Sequence, residues 1–290
     1  MFPDLLHTPL AYWVHNLSPF LIRFNEDFGI RYYGLAYCLG FIVAAMMLRH
    51  YYKKGRSPLN PEQQATFMTF CIGGVLIGGR VGYMFLYDFG SLLSNPFNLF
   101  KVWEGGMSSH GGFVGVILAL ILFCRRISQP LLKVGDVIAT IVPPGLFFGR
   151  VANFINGELW GKVSTVPWAV IFPQSAEKPG VPVESIAPRH PSQLYEAALE
   201  GLLLWGWTQF RFWRSPSLPP GQLSGEFLLG YAVVRIFAEI FREPDRGISL
   251  ILGLSRGQFY SIFLAFGGIA LLLYSHYREQ RRKRNASETE

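Results

Sequence analysis

The chain has 290 residues, of which 50% are hydrophobic, 16% aromatic and only 16% charged. A soluble domain usually carries about a quarter charged residues, so the composition excludes an ordinary water-soluble globule and points to the bilayer. The formal charge of +7 would suit nucleic acid, but the basic residues gather in short segments between apolar runs, where topology determinants lie.

In chain order, the first 30 residues lack a basic region followed by an apolar one, so no cleaved signal peptide is expected. Apolar runs of roughly 18–22 residues then recur, each long enough to cross ~30 Å of hydrocarbon as a helix. They fall at about 33–48, 65–86, 107–124, 135–155, 192–210, 223–241 and 257–275. Seven crossings are predicted, with glycine or charge interrupting the second, fourth and sixth. Four short segments, RHYYKKGR (49–56), RRISQPLLK (125–133), RFWR (211–214) and HYREQRRKR (276–284), hold 14 of the 26 Lys and Arg. Cytoplasmic loops collect Lys and Arg, so the N-terminus is expected outside and the C-terminus in the cytoplasm. The Pro-rich stretch 158–190 then lies outside, as a small head of loops and short strands. Cys38, Cys71 and Cys124 fall inside the spans and make neither a disulfide framework nor a metal cluster.

Tyr32 and Tyr33 stand at the external mouth of the first span, where tyrosines usually anchor the interface. In the second span, CIGGVLIGGRVGYMF, Gly74, Gly78 and Gly82 form one bare stripe of the kind that lets helices approach closely in lipid. Arg80 lies off that stripe and should point into the bundle, since a charge facing lipid is costly. GGMSSHGGFVG (105–115) opens the third span. Ser108, Ser109 and His110 there read either as a helix cap with an incidental histidine or as a histidine placed for proton transfer. A Ser–His hydrolase would need an orienting acid that is not close by.

The fourth span ends in GRVANFINGELWG (149–161). Arg150, Asn153 and Asn156 recur every three residues on roughly one helical face, with Glu158 following where the helix should end. Such a row either satisfies backbone groups or marks a functional site, and polar groups at membrane depth favour the second. The fifth span opens at RHPSQLYE (189–196), where Arg189 and His190 serve capping and packing as readily as chemistry. The sixth, GYAVVRIFAEIFR, places Tyr231, Arg235 and Glu239 at i, i+4 and i+8, with Arg242 at i+11. An internal Arg235–Glu239 pair is permitted by that spacing. Two arginines from different helices, restrained by carboxylates, would instead make a pocket for one anion, and guanidinium is well shaped for phosphate. On this reading Glu158 and Glu239 hold Arg150 and Arg235 in position.

Together YYGL, GGRVGY, KVWEGGMSSHGG, GRVANFINGELWG, RHPSQLYE and the GY…R…E…FR run resemble, in order and spacing, the prolipoprotein diacylglyceryl transferase family. The likeness spans nearly the whole chain. Departures are minor: YYGL stands for the commoner WYGL, Ala152 for a glycine and Lys162 for an arginine. The resemblance implies an all-α integral membrane protein, a bundle of seven transmembrane helices whose residues 1–290 form one catalytic domain in the cell's inner membrane. It implies transfer of the sn-1,2-diacylglyceryl group from phosphatidylglycerol to the lipobox cysteine of a prolipoprotein, with release of glycerol phosphate. It carries functional roles to Tyr33, His110, Arg150, Asn153, Glu158, Gly161, Arg235 and Glu239, with Tyr231 alongside. Asn156, His190, Arg242 and Arg80 are secondary candidates. His190 is the rival of His110 as the base that takes the thiol proton. No metal, diffusible cofactor or nucleic-acid partner is implied. A transporter for an anionic solute would also hold buried arginines, but would normally show internal repeats, which the sequence lacks.

Overall fold

The computed structural model describes residues 12–25, 29–101, 105–178, 180–215, 217–244 and 250–288, without the side chains of Ser109 and His110. It divides into two compact units, Met1–Val43 with Ala139–Glu290, and Ala44–Ile138.

The chain enters through three short strands, β1 (Trp13–Val14), β2 (Phe20–Arg23) and β3 (Gly29–Arg31), with β2 and β3 paired antiparallel. Helix α1 (Tyr32–Lys53) follows at once, then α2 (Pro61–Leu86), the short α3 (Phe89–Ser94) and α4 (Ser109–Arg126). Helices α5 (Leu131–Ile141) and α6 (Pro143–Asn156) run on from each other across Val142, a residue with right-handed helical backbone; the Pro143–Pro144 pair divides them. Next come β4 (Val170–Ile171), α7 (Ser192–Glu196), a π-helix (Ala197–Leu203), α8 (Leu204–Arg214), α9 (Gln222–Ala238) and the long α10 (Arg256–Ser287). A helix therefore overlies each of the seven apolar runs of the sequence. Among the described residues, four stretches, Tyr32–Lys53, Pro61–Leu86, Leu131–Asn156 and Arg256–Ser287, are long and apolar enough to cross a membrane.

The outside of these helices is apolar. Met46, Ile77, Phe266 and Leu273 are each about two-thirds exposed, while Arg235, Glu196 and Glu200 are buried. That inversion is what hydrocarbon solvent demands, because charge on the lipid side is costly.

In the Ala44–Ile138 unit, the glycine stripe of α2 meets a second one on α4. A Cβ added at Gly78 would lie 2.8 Å from Gly115 Cα, and one at Gly82 would lie 2.6 Å from Gly111 Cα. The two backbones touch, as small-residue helix pairs do in membranes. Arg80, between Gly78 and Gly82 but off their face, is buried and turns its guanidinium onto backbone carbonyls. It donates to Asn98, Leu99, Gly105 and Gly106, so it points inward as predicted. Its bonds to the chain just ahead of α4, together with Ser108 N–H donating to Gly79 O at 2.8 Å, fix where that helix starts.

In the other unit, β1 and β4 pair in parallel, Trp13 opposite Val170 and Val14 opposite Ile171. Beneath them His15, Phe154 and Phe172 pack ring to ring, with centroids 5.3–6.0 Å apart. The stretch 158–190 is built of β4, two single 3-10 turns and isolated backbone bridges, from Gly161 to Arg242 and from Arg189 to Val163 and Val170. Loops and short strands were the sequence expectation, and that is its local structure.

Candidate active site

Helix α6 ends at a left-handed residue. Gly157 has φ 67° and ψ 30°, a conformation that glycine adopts without steric penalty. Its N–H and that of Glu158 return to the carbonyls of Phe154 and Asn153 at 2.9 and 3.1 Å. The chain thereby folds back, and the Glu158 side chain meets the helix it has just left. Asn153 Nδ2 and Asn156 Nδ2 both donate to Glu158 Oε1, at 2.8 and 3.2 Å. The fifth segment secures this turn from the other side. Ser192 Oγ donates to Leu159 O at 3.1 Å, and Gln193 Nε2 donates to Glu158 O at 2.6 Å.

The expected brace of Arg150 by Glu158 is therefore corrected. Arg150 lies two turns earlier on α6 and pairs with the fifth segment instead: Nη1 lies 2.9 Å from Glu196 Oε2, and Nε lies 3.1 Å from Glu200 Oε2. Arg235 reaches the same two carboxylates through Nη1, 2.6 Å from Glu196 Oε2 and 3.0 Å from Glu200 Oε1. Its Nη2 pairs with Glu239, as the i, i+4 spacing predicts. Arg242 completes the set, Nη1 at 3.4 Å from Glu196 Oε1 and Nε at 4.0 Å from Glu239 Oε1. Ser255 Oγ donates to the other oxygen of Glu239 at 2.7 Å.

Three guanidinium groups thus share three carboxylates in one buried cluster. Glu196 and Glu200 were the residues missed by sequence reasoning. Their signal is present, two carboxylates four apart inside the apolar run YEAALEGLLLWG, where charge is rare without a purpose. They stand where the helix becomes a π-helix, a form frequent at functional sites. Gly201 in that π-helix permits the contact with α6, since a Cβ there would lie 2.6 Å from Phe147 Cβ.

Taking three carboxylates and three guanidinium groups out of water costs several kcal/mol per ion, which pairing repays only with good geometry. Arg150 is the most accessible of the three arginines, its side chain 18% exposed against 10% and 9%. Its Nη2 has no partner among the described residues and is not enclosed. That nitrogen stands outside the network of ion pairs.

The remaining candidates distribute as follows. Tyr33 lies within electrostatic reach of both Glu158 and Arg150 and stacks edge-on against Tyr37, centroids 5.3 Å apart. Tyr231 lies within reach of the charges on Arg150, Arg235, Glu196 and Glu200. Gly161 is a close-approach glycine: a Cβ would come 2.6 Å from both His190 O and Phe241 O, and its N–H donates to His190 O at 2.9 Å. It shapes the backbone and offers no side chain to a substrate. His110 opens α4, and its side chain lies outside the described residues. Ser108, its neighbour two residues earlier, is buried and accepts the Gly111 N–H at 3.2 Å as a helix cap, which commits that oxygen to structure rather than nucleophilic attack. Among the described residues no group of His, Cys, Asp and Glu is placed to hold a metal.

The model of the family described as prolipoprotein diacylglyceryl transferase matches residues 19–274. The phosphatidylglycerol--prolipoprotein diacylglyceryl transferase of Rhizobium meliloti is 46% identical over 251 residues, covering 83% of this chain and 86% of the relative. That of Idiomarina loihiensis is 44% identical over 268 residues, covering 90% and 95%. That of Nitrosospira multiformis is 44% identical over 273 residues, covering 91% and 88%. With the match running through every segment that builds the arginine–carboxylate cluster, the chain belongs to the prolipoprotein diacylglyceryl transferase family.

Proposed function

We propose that this cluster carries out the family's reaction, moving the sn-1,2-diacylglyceryl group of phosphatidylglycerol onto the lipobox cysteine of a prolipoprotein. The observation that carries the reading is Arg150, held on two edges by Glu196 and Glu200 and open at Nη2. The lipid phosphate docks there, with Arg235 adding its charge through the shared carboxylates. The cysteine sulfur bonds to the glyceryl carbon, the carbon–oxygen bond to phosphate breaks, and glycerol phosphate leaves with the electron pair. Preorganised cations in a dry site stabilise the charge that builds on that leaving group. The carboxylates keep the guanidinium groups fixed, so little reorganisation accompanies reaction.

The sulfur must arrive as thiolate, because a thiol of pKa near 8.5 is a weak nucleophile. We assign the proton to His110. The chain's own cysteines take no part, because the nucleophile comes with the second substrate; Cys71 and Cys124 are buried, and Cys38 lies exposed on α1. Tyr33, Asn153 and Glu158 border the lipid at the end of α6, and Tyr231 flanks the arginines. Asn156 acts through Glu158 and Arg242 through Glu196, while Arg80 serves the start of α4.

The whole chain works as one membrane-embedded domain of seven crossings in the inner membrane, N-terminus periplasmic, with 158–190 as its external head. Both substrates are then membrane-bound and meet at the outer end of the bundle. The test is direct. Purified protein, phosphatidylglycerol and a lipobox peptide should add one diacylglyceryl mass to the peptide cysteine, and a Cys→Ser peptide should gain nothing. Phosphatidylglycerol consumed with no mass gain on the thiol would contradict the assignment.

A further inference from the structure

His190 was a rival for the role of base, and its surroundings decide what it can do. Its Nδ1 lies 3.1 Å from the Tyr195 hydroxyl, and Trp168 Nε1 lies 2.7 Å from the same hydroxyl. An indole N–H can only donate, so the Tyr195 oxygen accepts from Trp168. The hydroxyl has one proton of its own, and among the described residues its other neighbour is His190 Nδ1. With Trp168 donating to Tyr195 and Tyr195 donating to His190 Nδ1, all three groups are satisfied within the protein. The imidazole proton then sits on Nε2. Burial lowers the His190 pKa below its ordinary value, which favours the neutral ring. Its accepting nitrogen is already used, so His190 is unsuited to take a thiol proton.

Nε2–H has no partner among the described residues and is not enclosed. Trp168, at the far end of the relay, is 61% exposed. The backbone on either side of His190 is fixed. His190 N donates to Lys162 O at 3.0 Å, and its carbonyl accepts the Gly161 N–H at 2.9 Å. Its ring packs on Phe241, centroids 5.3 Å apart, the residue before Arg242, and Tyr195 directly precedes Glu196. The relay therefore adjoins the arginine cluster along two chain segments.

The geometry points to His190 as a fixed, neutral Nε2–H donor, set in that tautomer by Tyr195 and Trp168, that binds a backbone carbonyl of the peptide substrate. A neutral single donor beside the exposed Trp168 indole fits an uncharged peptide, whereas the dianionic leaving group is served by the arginines. This assignment rests on the transferase reading, and its test separates the two.

Gln places an amide N–H near the Nε2 position, and Asn places one near Nδ1. With purified full-length protein, His190→Gln should keep the peptide KM near wild type. His190→Asn should raise it about 3- to 10-fold, the loss of one neutral hydrogen bond, with kcat and the phosphatidylglycerol KM unchanged. Equal effects of the two variants, a loss confined to kcat, or a shift in the lipid KM would each overturn the donor role. Nitrogen-15 spectra of histidine-labelled protein, in which six histidines contribute, read the tautomer without turnover. His190 should carry its proton on Nε2 in the wild type and become a tautomer mixture in Tyr195→Phe. A proton on Nδ1 in the wild type would sink the relay even if the enzyme is a transferase. A wild type that lipidates no peptide, with the Nε2–H tautomer intact, would instead remove the transferase reading.

Discussion

Glu196 Oε2 lies 2.6 Å from Arg235 Nη1 and, on its other side, 2.9 Å from Arg150 Nη1. One carboxylate, 1% exposed, joins the arginine of α6 to the arginine of α9. Removing one partner of a buried ion pair costs about 3–5 kcal/mol, since the charges left behind are uncompensated. Glu196→Gln should therefore lower the melting temperature in detergent by ~10 °C and slow lipidation as well, because both arginines lose their shared anchor. A variant melting within a degree of wild type would show that Glu196 does not tie the helices together.

The α2–α4 contact gives a second prediction with an internal control. A Cβ at Gly78 would meet Gly115 Cα at 2.8 Å, whereas one at Gly73 would have nothing within 4 Å. Gly78→Val should destabilise the protein by about 1–3 kcal/mol or more through overpacking, and Gly73→Ala should leave it unchanged or slightly firmer. Equal melting temperatures for the two variants would argue that the glycine stripe does not form the interface.

How much of this was legible beforehand follows from what periodicity can carry. The helices, the inward turn of Arg80 and the Arg235–Glu239 pair follow from spacing within one segment. Arg150, Asn153 and Asn156 were readable as one polar row for the same reason. What spacing within a segment cannot supply is the partner across the fold. Glu158 looked like the brace of Arg150 because it follows closely in sequence, but the left-handed turn at Gly157 sends it back to Asn153 and Asn156. The true braces, Glu196 and Glu200, come from a different helix 46 and 50 residues away. The His190 relay was hidden likewise, since Trp168 and Tyr195 are 27 residues apart.

For the thiol proton, His110→Gln should lower kcat by about 10²–10⁴-fold, the usual worth of general-base help, and leave phosphatidylglycerol binding nearly intact. The defect should shrink as the assay pH rises toward the thiol's own pKa near 8.5, because the thiolate then forms unaided. A rate deficit that stays constant from neutral pH to about pH 9 would make His110 a positioning group. Replacing Ser108 and Ser109 together by Ala should leave turnover largely intact, which a Ser–His hydrolase could not survive.

The proposed topology rests on the 14 Lys and Arg in the segments after the first, third, fifth and seventh apolar runs. A green fluorescent reporter fused after Glu290 should fluoresce in the cytoplasm. A periplasmic alkaline phosphatase fused at the same point should stay inactive, and phosphatase activity there would reverse the assignment.

In the proposed site, planar guanidinium groups, not charge alone, hold the lipid phosphate. Lysine keeps the charge but loses the fork that pairs at once with carboxylate and phosphate. The deciding measurement is the initial rate of diacylglyceryl transfer to a lipobox peptide, followed by mass spectrometry, for Arg150→Lys and Arg235→Lys beside the wild type. Both rates should fall by about 10²-fold or more, the effect of removing one preorganised donor from a developing charge. Wild-type rates in both variants would contradict the account.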